Sequence, residues 1–155
     1  MIDDVYNARI LDFAGNIPMT GTLEDADAEA QAHSKLCGSK VKVWLKMDGD
    51  RVSGFAHDVK ACALGQASSA IMAANVIGLT EDELADLERQ MTAMLKEEGP
   101  PPAGKFADFA CLAPVAAHKS RHASTLLTFG ATLEAAARIL SEQGYHVSAC
   151  VIAAG

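Results

Sequence analysis

The stretch KVKVWLKMDGDRVSGFAHDV, residues 40–59, constrains the fold of this chain more than any other. Val41, Val43, Leu45 and Met47 alternate with Lys40, Lys42, Trp44 and Lys46, the period of two that gives a strand one apolar and one wet face. Asp48-Gly49-Asp50 then supplies a hairpin turn into RVSGFAHDV. Upstream, ADAEAQAH alternates Ala26, Ala28, Ala30 and Ala32 with Asp27, Glu29, Gln31 and His33. Alanine is a poor strand former, yet the period is again two. The expectation is a three-stranded antiparallel sheet with one wet face.

The rest of the chain reads as helix. In DDVYNARILDFAGN, Val5, Ala8, Ile10, Leu11 and Phe13 fall on one helical face, and Gly15 with Pro18 ends the run. From Ala63, ALGQASSAIMAANVIG is small and apolar almost all round, as suits a helix packed closely on its neighbours. Thr80 followed by Glu83 makes a capping box for a charged helix running to about Lys96. Its carboxylates, in TEDELADLE, read as a solvated face. GPPPAG, residues 99–104, is a stiff proline-rich connector. A last helix from near Ser120 to Gly144 turns Leu126, Leu127, Leu133, Ala137 and Leu140 inward. Strands followed by helices predict an α+β domain, the sheet packed on one side by helices. A chain of 155 residues, half of them hydrophobic, fits a single domain over 1–155 with a full core.

A formal net charge of −7 without a compensating basic block argues against nucleic acid or an anionic bilayer as partner. No stretch approaches the roughly 18 apolar residues of a membrane span, and MIDDVYNARI carries acids where a signal peptide carries bases. The expected location is cytoplasmic. In a reducing compartment, the four dispersed cysteines, Cys37, Cys62, Cys111 and Cys150, are free thiols or ligands. There is no CxxC pair, so any metal site must be assembled by the fold.

Cys62 falls where the third strand stops and the small-residue helix begins, in the positive field of a helix N-terminus that favours a thiolate. The hairpin has the length to return the end of the third strand beside the start of the second. Cys37 and Cys62 would then meet at one sheet edge, as half of a metal site.

At these residues the chain resembles the U-type iron–sulfur cluster assembly scaffolds, the IscU and SufU proteins and the N-terminal domain of NifU. The likeness runs through ARILDFAGN, GTLEDADAEAQAHSKLCGS, VKVWLKMDGDRV and ACALGQASSAIM, and extends to about Ala137. It implies the SufE/NifU-like, IscU-like fold and a protein that is not an enzyme in the ordinary sense. Such a scaffold accepts sulfur from a cysteine desulfurase, holds a transient [2Fe-2S] cluster or Zn²⁺, and passes the cluster to recipient apo-proteins.

The ligand pattern departs from the family. Its Cys-Gly-Asp motif reads Cys37-Gly38-Ser39, and its third cysteine falls on Ser124 in KSRHASTLL, the register that keeps Leu126 and Leu127 in phase. An alternative register through PVAAHK places His118 on the family histidine and Lys119 on the cysteine. In either case the third thiol is missing, and a neutral hydroxyl is a poor ligand for a soft metal. Cys37 and Cys62 remain as ligands, with Ser39 and Ser124 at inherited positions. The shortfall falls to His118, His122, Cys111 or the Cys37–Cys62 pair of a second subunit in a homo-oligomer. For the histidines the plainer account is polar residues at a helix start, and for Cys111 a packed small hydrophobe. Cys150 lies beyond the resemblance and reads as a buried or tail thiol.

The leading expectation is a scaffold with an incomplete ligand set. One alternative is a metal-free interaction module that regulates the assembly machinery, carrying no cargo because its site is degenerate. Another is a thiol enzyme using Cys62 with His118 or His122 as base.

Overall fold

The computed structural model describes residues 7–35 and 38–142. The expectations for Val5, Cys37, Cys150 and the helix end at Gly144 lie outside the described residues. Helix α1 spans Ala8–Gly15, with the Asn7 side chain accepting from the Ile10 amide. Strands β1 (Ala28–His33), β2 (Lys40–Asp48) and β3 (Arg51–Lys60) follow, then α2 (Ala63–Asn75), α3 (Glu81–Lys96), a run of 3-10 turns over Gly104–Ala117, and α4 (His122–Glu142).

The sheet has the order β1-β2-β3, antiparallel throughout. Gly49, at a φ of 65°, opens the two-residue loop of the hairpin, where left-handed backbone favours glycine. Near this end the ladder slips between Lys46 and Met47, leaving Ser53 unopposed as a bulge on β3. Val41, Val43, Leu45 and Met47 are buried, as the alternation requires. Helices cover that face: α4 lies on β1 and β2, α2 meets β3 and α4, and α3 backs α4. The result is an α+β fold with one apolar core between sheet and helices.

The Thr80 capping box on α3 is formed in both directions. The acidic face of α3 is less solvated than expected, because Glu81 is buried and burial pushes its carboxyl pKa up. In α1 only Ile10 is fully buried, and Leu11 is 54% exposed. The helix is too short to bury both, and Phe13, three residues on from Ile10, shares the inner face. In α4 Ala137 is only half-buried, and Ala135, Ala136 and Ile139 carry the inner face. The 3-10 run has no counterpart in the sequence reading. It buries Phe109, Leu112 and Val115, and the Phe109 ring packs against Phe129 at 5.3 Å between centroids.

The outer edge of β3 is closed by residues 19–21, through His57 N to Met19 O (3.1 Å) and Gly21 N to His57 O (3.0 Å). The His57 ring is buried, and its Nε2 donates to the Pro18 carbonyl at 2.8 Å. Burial pushes its pKa below the ordinary value, opposed by the Pro18 carbonyl and by Asp58. The unfolded chain therefore takes up the proton first as pH falls. Stability from neutral His57 is complete above about pH 6.5 and is lost progressively as pH drops from there towards the folded value. Urea midpoints should fall between about pH 7 and pH 5, and His57→Gln should flatten that fall.

Candidate functional site

The hairpin register places the start of β2 beside the end of β3, with Lys40 opposite Lys60. Gly38 and Ser39 lead into that end of the sheet, and Ala61 and Cys62 leave it. The β1–β2 connection is cinched by Ser34 N to Ser39 O (2.8 Å) and Gly38 N to Ser34 O (2.9 Å), with Gly38 at a φ of 71°. Cys62 is the N-cap of α2, and its side chain makes no capping bond to the helix. Its sulfur is turned instead towards α4, where Cys62 Sγ lies 3.1 Å from Ser124 Oγ. Ser124 Oγ in turn donates to Ser39 Oγ at 3.4 Å.

Three positions drawn from the end of β3, the entry to β2 and the first turn of α4 thus form one chain of polar atoms. Cys62 is half-buried, whereas Ser39 and Ser124 are 3% and 1% exposed. Either atom of the Cys62–Ser124 pair can be the donor, and Ser124 donates onward to Ser39. Cys62 stands at the N-terminus of α2 and Ser124 in the first turn of α4, so both helices begin at this point.

Gly65 is what lets the helices meet, and sequence reading did not single it out. A Cβ at Gly65 would stand 2.7 Å from the Ala61 Cβ and 3.1 Å from both Ser124 O and Ser124 Oγ. Gly65→Ala should therefore destabilise the protein by ~1–3 kcal/mol, as overpacking does, although the same change in an open helix stabilises by up to ~1 kcal/mol. Chemical denaturation reads the sign. A stabilised variant would mean that the α2–α4 junction is looser than described.

The other sequence candidates lie elsewhere. His122 is buried, with Nε2 directed to the carbonyls of Val115 (3.0 Å) and Ala116 (3.2 Å). His118 ends the 3-10 run ahead of α4, so the two histidines do not share a helix. Lys119 is exposed and lines a groove of about 680 Å³ between β1, α3 and α4. Cys111 packs half-buried beside Arg9 in a shallow pocket against α1, and burial pushes its thiol pKa up. Cys37 lies outside the described residues. Among the described residues no three His, Cys, Asp or Glu side chains converge.

Comparison with known proteins agrees with this architecture. A crystal structure of a nitrogen-fixing NifU-like protein (N-terminal) from Brucella abortus superposes with a TM-score of 0.87 at 57% identity, over 92% of this chain and 98% of that one. A putative iron–sulfur cluster assembly scaffold protein for the SUF system from Fervidobacterium islandicum shares the fold, with a TM-score of 0.79 at 21% identity over 86% and 98% of the two chains. The iron–sulfur cluster assembly scaffold protein IscU of Streptococcus pyogenes is 25% identical over 92% of this chain and 89% of its own. The protein of the same description from Thermotoga maritima is 27% identical over 61% of this chain and just under two thirds, 66%, of its own length. The family described as NifU-like N terminal domain matches residues 5–125, and by that match the chain belongs to the NifU-like N-terminal domain family.

Proposed function

We propose that this chain is a scaffold of iron–sulfur cluster assembly, a carrier and not an enzyme, which accepts sulfur from a cysteine desulfurase and holds the nascent [2Fe-2S] cluster, or Zn²⁺, as cargo. The observation that carries the reading is the meeting of Cys62, Ser39 and Ser124 at one sheet end under two helix N-termini. It is supported by relatives described as IscU scaffolds.

Cys37 and Cys62 supply the thiolates, with Ser39 and Ser124 as weak oxygen neighbours. A second copy bringing its own Cys37–Cys62 pair completes the set before the cluster passes to a recipient apo-protein. The whole chain acts as one such unit. Sulfur arrives as a persulfide: the Cys62 thiolate attacks the terminal sulfur, the donor's S–S bond breaks, and the donor cysteine leaves as thiolate. The sulfane sulfur and its proton end on Cys62 with no net oxidation.

The two hydroxyls where the family has an acid and a thiol favour a second reading, in which the same surface binds the assembly machinery without cargo. Incubation with a desulfurase and cysteine separates the two. The first reading expects one added sulfur on Cys62 by mass spectrometry, absent in Cys62→Ser; wild-type protein that binds the desulfurase but acquires no sulfur supports the second.

A further inference from the structure

The two edges of the sheet are finished differently. Residues 19–21 close the outer edge of β3, whereas β1 pairs only with β2. Ser34 N bonds to Ser39 O across the β1–β2 connection, and on the other side of the strand Glu29 O accepts from Arg138 Nη1 at 2.7 Å. Main-chain groups alternate along a strand, so Ala30 and Ala32 point to β2 while Glu29, Gln31 and His33 point outward. Among the described residues Arg138 is the one group bonded to that outward edge, and the N–H and C=O of Gln31 and His33 have no partner there. An open edge is a template for another extended backbone.

The same end of β1 opens on an apolar groove of about 680 Å³. Ala32, on the inner face of the sheet, is only half-buried there, while Ala30, two residues back, is 4% exposed. Ala123, Leu126 and Gly130 line the groove at i, i+3 and i+7 of α4, each left half-buried, and α3 contributes Leu95 and Glu88. A strand added to β1 would aim every second side chain into this groove. Its other side chains would fall on the wet face beside His33, which stands in one row with Lys40 and Lys60, all three exposed. That row holds no acid, since Asp58 lies in the row behind, opposite Lys42, and Glu88 is on the groove side. A carboxylate next to His33 would therefore complement it. A second copy of the chain fits this edge poorly: its β1 already carries α4 on the inner face, and α3 stands across the groove where that helix would have to go.

We propose that the open edge of β1 and the groove beside it bind an extended peptide segment of another protein by strand addition, with apolar side chains in the groove and an acidic one between them on the wet face. The main-chain groups of Gln31 and His33 hold the added backbone, the groove selects bulky apolar residues, and Arg138 on Glu29 stops the added strand at the far end. The proposal is independent of any cargo at Cys62.

The probe is the synthetic peptide acetyl-STLELTS-amide, followed by amide hydrogen exchange of the full chain and by titration calorimetry. Saturating peptide should slow exchange of the Gln31 and His33 amides ~10-fold or more and leave those of Ala30 and Ala32, already turned to β2, unchanged. Leu126→Glu, Gln31→Pro and a peptide with lysine in place of its glutamate should each weaken binding ~10-fold or more. Gln31→Pro removes an outward N–H and so spares the β1–β2 ladder. N-methylated peptides titrated into wild-type protein give a reading free of any effect on folding. Only every second residue of an added strand faces the edge, so methylation of one alternate set of amides should abolish binding and methylation of the other should spare it. Equal loss from both sets, or exchange of Gln31 and His33 unmoved by the peptide, would overturn the proposal. Gln31 and His33 amides already protected in the free monomer would assign the edge to the chain itself, and protection that appears only as the chain dimerises would assign it to a second copy; either result overturns the choice of another protein as occupant.

Discussion

Ser39→Asp combined with Ser124→Cys should raise zinc affinity at least ~100-fold. A full structural zinc site is worth about 10–16 kcal/mol over four ligands, or roughly 3 kcal/mol for each, and about 1.4 kcal/mol is a decade in affinity. The double variant replaces two neutral hydroxyls by a carboxylate and a thiolate, at positions 3.1 and 3.4 Å apart along the Cys62–Ser124–Ser39 chain. Non-additivity lowers the sum, and one gained ligand suffices for the stated factor. Both serines are buried, so the metal-free variant should also be less stable than wild type, by ~1–3 kcal/mol for a buried polar group without its partner. Lys119→Cys, which the shifted register would favour, should leave zinc affinity unchanged because that side chain lines the groove beside β1. A competition titration against a chromophoric chelator decides; a gain on Lys119→Cys and none on the double variant would move the third ligand position off α4.

The sheet was legible because a period of two admits few other structures, and because Asp48-Gly49-Asp50 sets the register that brings the start of β2 and the end of β3 to the site. Helix α2 was legible from its small residues. The 3-10 run was not, since Phe109, Leu112 and Val115 are spaced by three, and such a short apolar repeat broken by Pro114 gives no amphipathic signal long enough to read. Leu11 and Ala137 were placed inward because a helical face drawn from sequence is wider than the stripe a neighbour covers. Ile10 and the Ala135–Ala136–Ile139 group show where the cover lies.

In the site, Cys62 could be found from its place at a strand–helix junction, and Ser39 and Ser124 from the likeness to the scaffold family. Gly65 could not. In a helix of Ala, Ser and Gly nothing marks one small residue until Ser124 is known to stand against it.

Cys62→Ser should separate the fold from its cargo. Cys62 is half-buried at the rim of the core, so exchanging its sulfur for oxygen removes little apolar contact, and the metal-free protein should lose no more than about 1 kcal/mol. The core between sheet and helices is large enough for a domain of this length to fold on its own, so metal should add stability by linkage instead of creating the fold. At a zinc concentration 100 times the dissociation constant, linkage contributes about 2.7 kcal/mol, a rise of roughly 5–10 °C in Tm for a domain of this size. A serine at this position offers no thiolate, so the variant should lose most of that rise, and it cannot carry a persulfide. The measurement is a set of four thermal melts, wild type and Cys62→Ser, each with and without zinc. The account predicts two similar metal-free melts and a zinc-induced rise confined to the wild type; a rise that persists undiminished in Cys62→Ser would contradict the placement of Cys62 at the centre of the site.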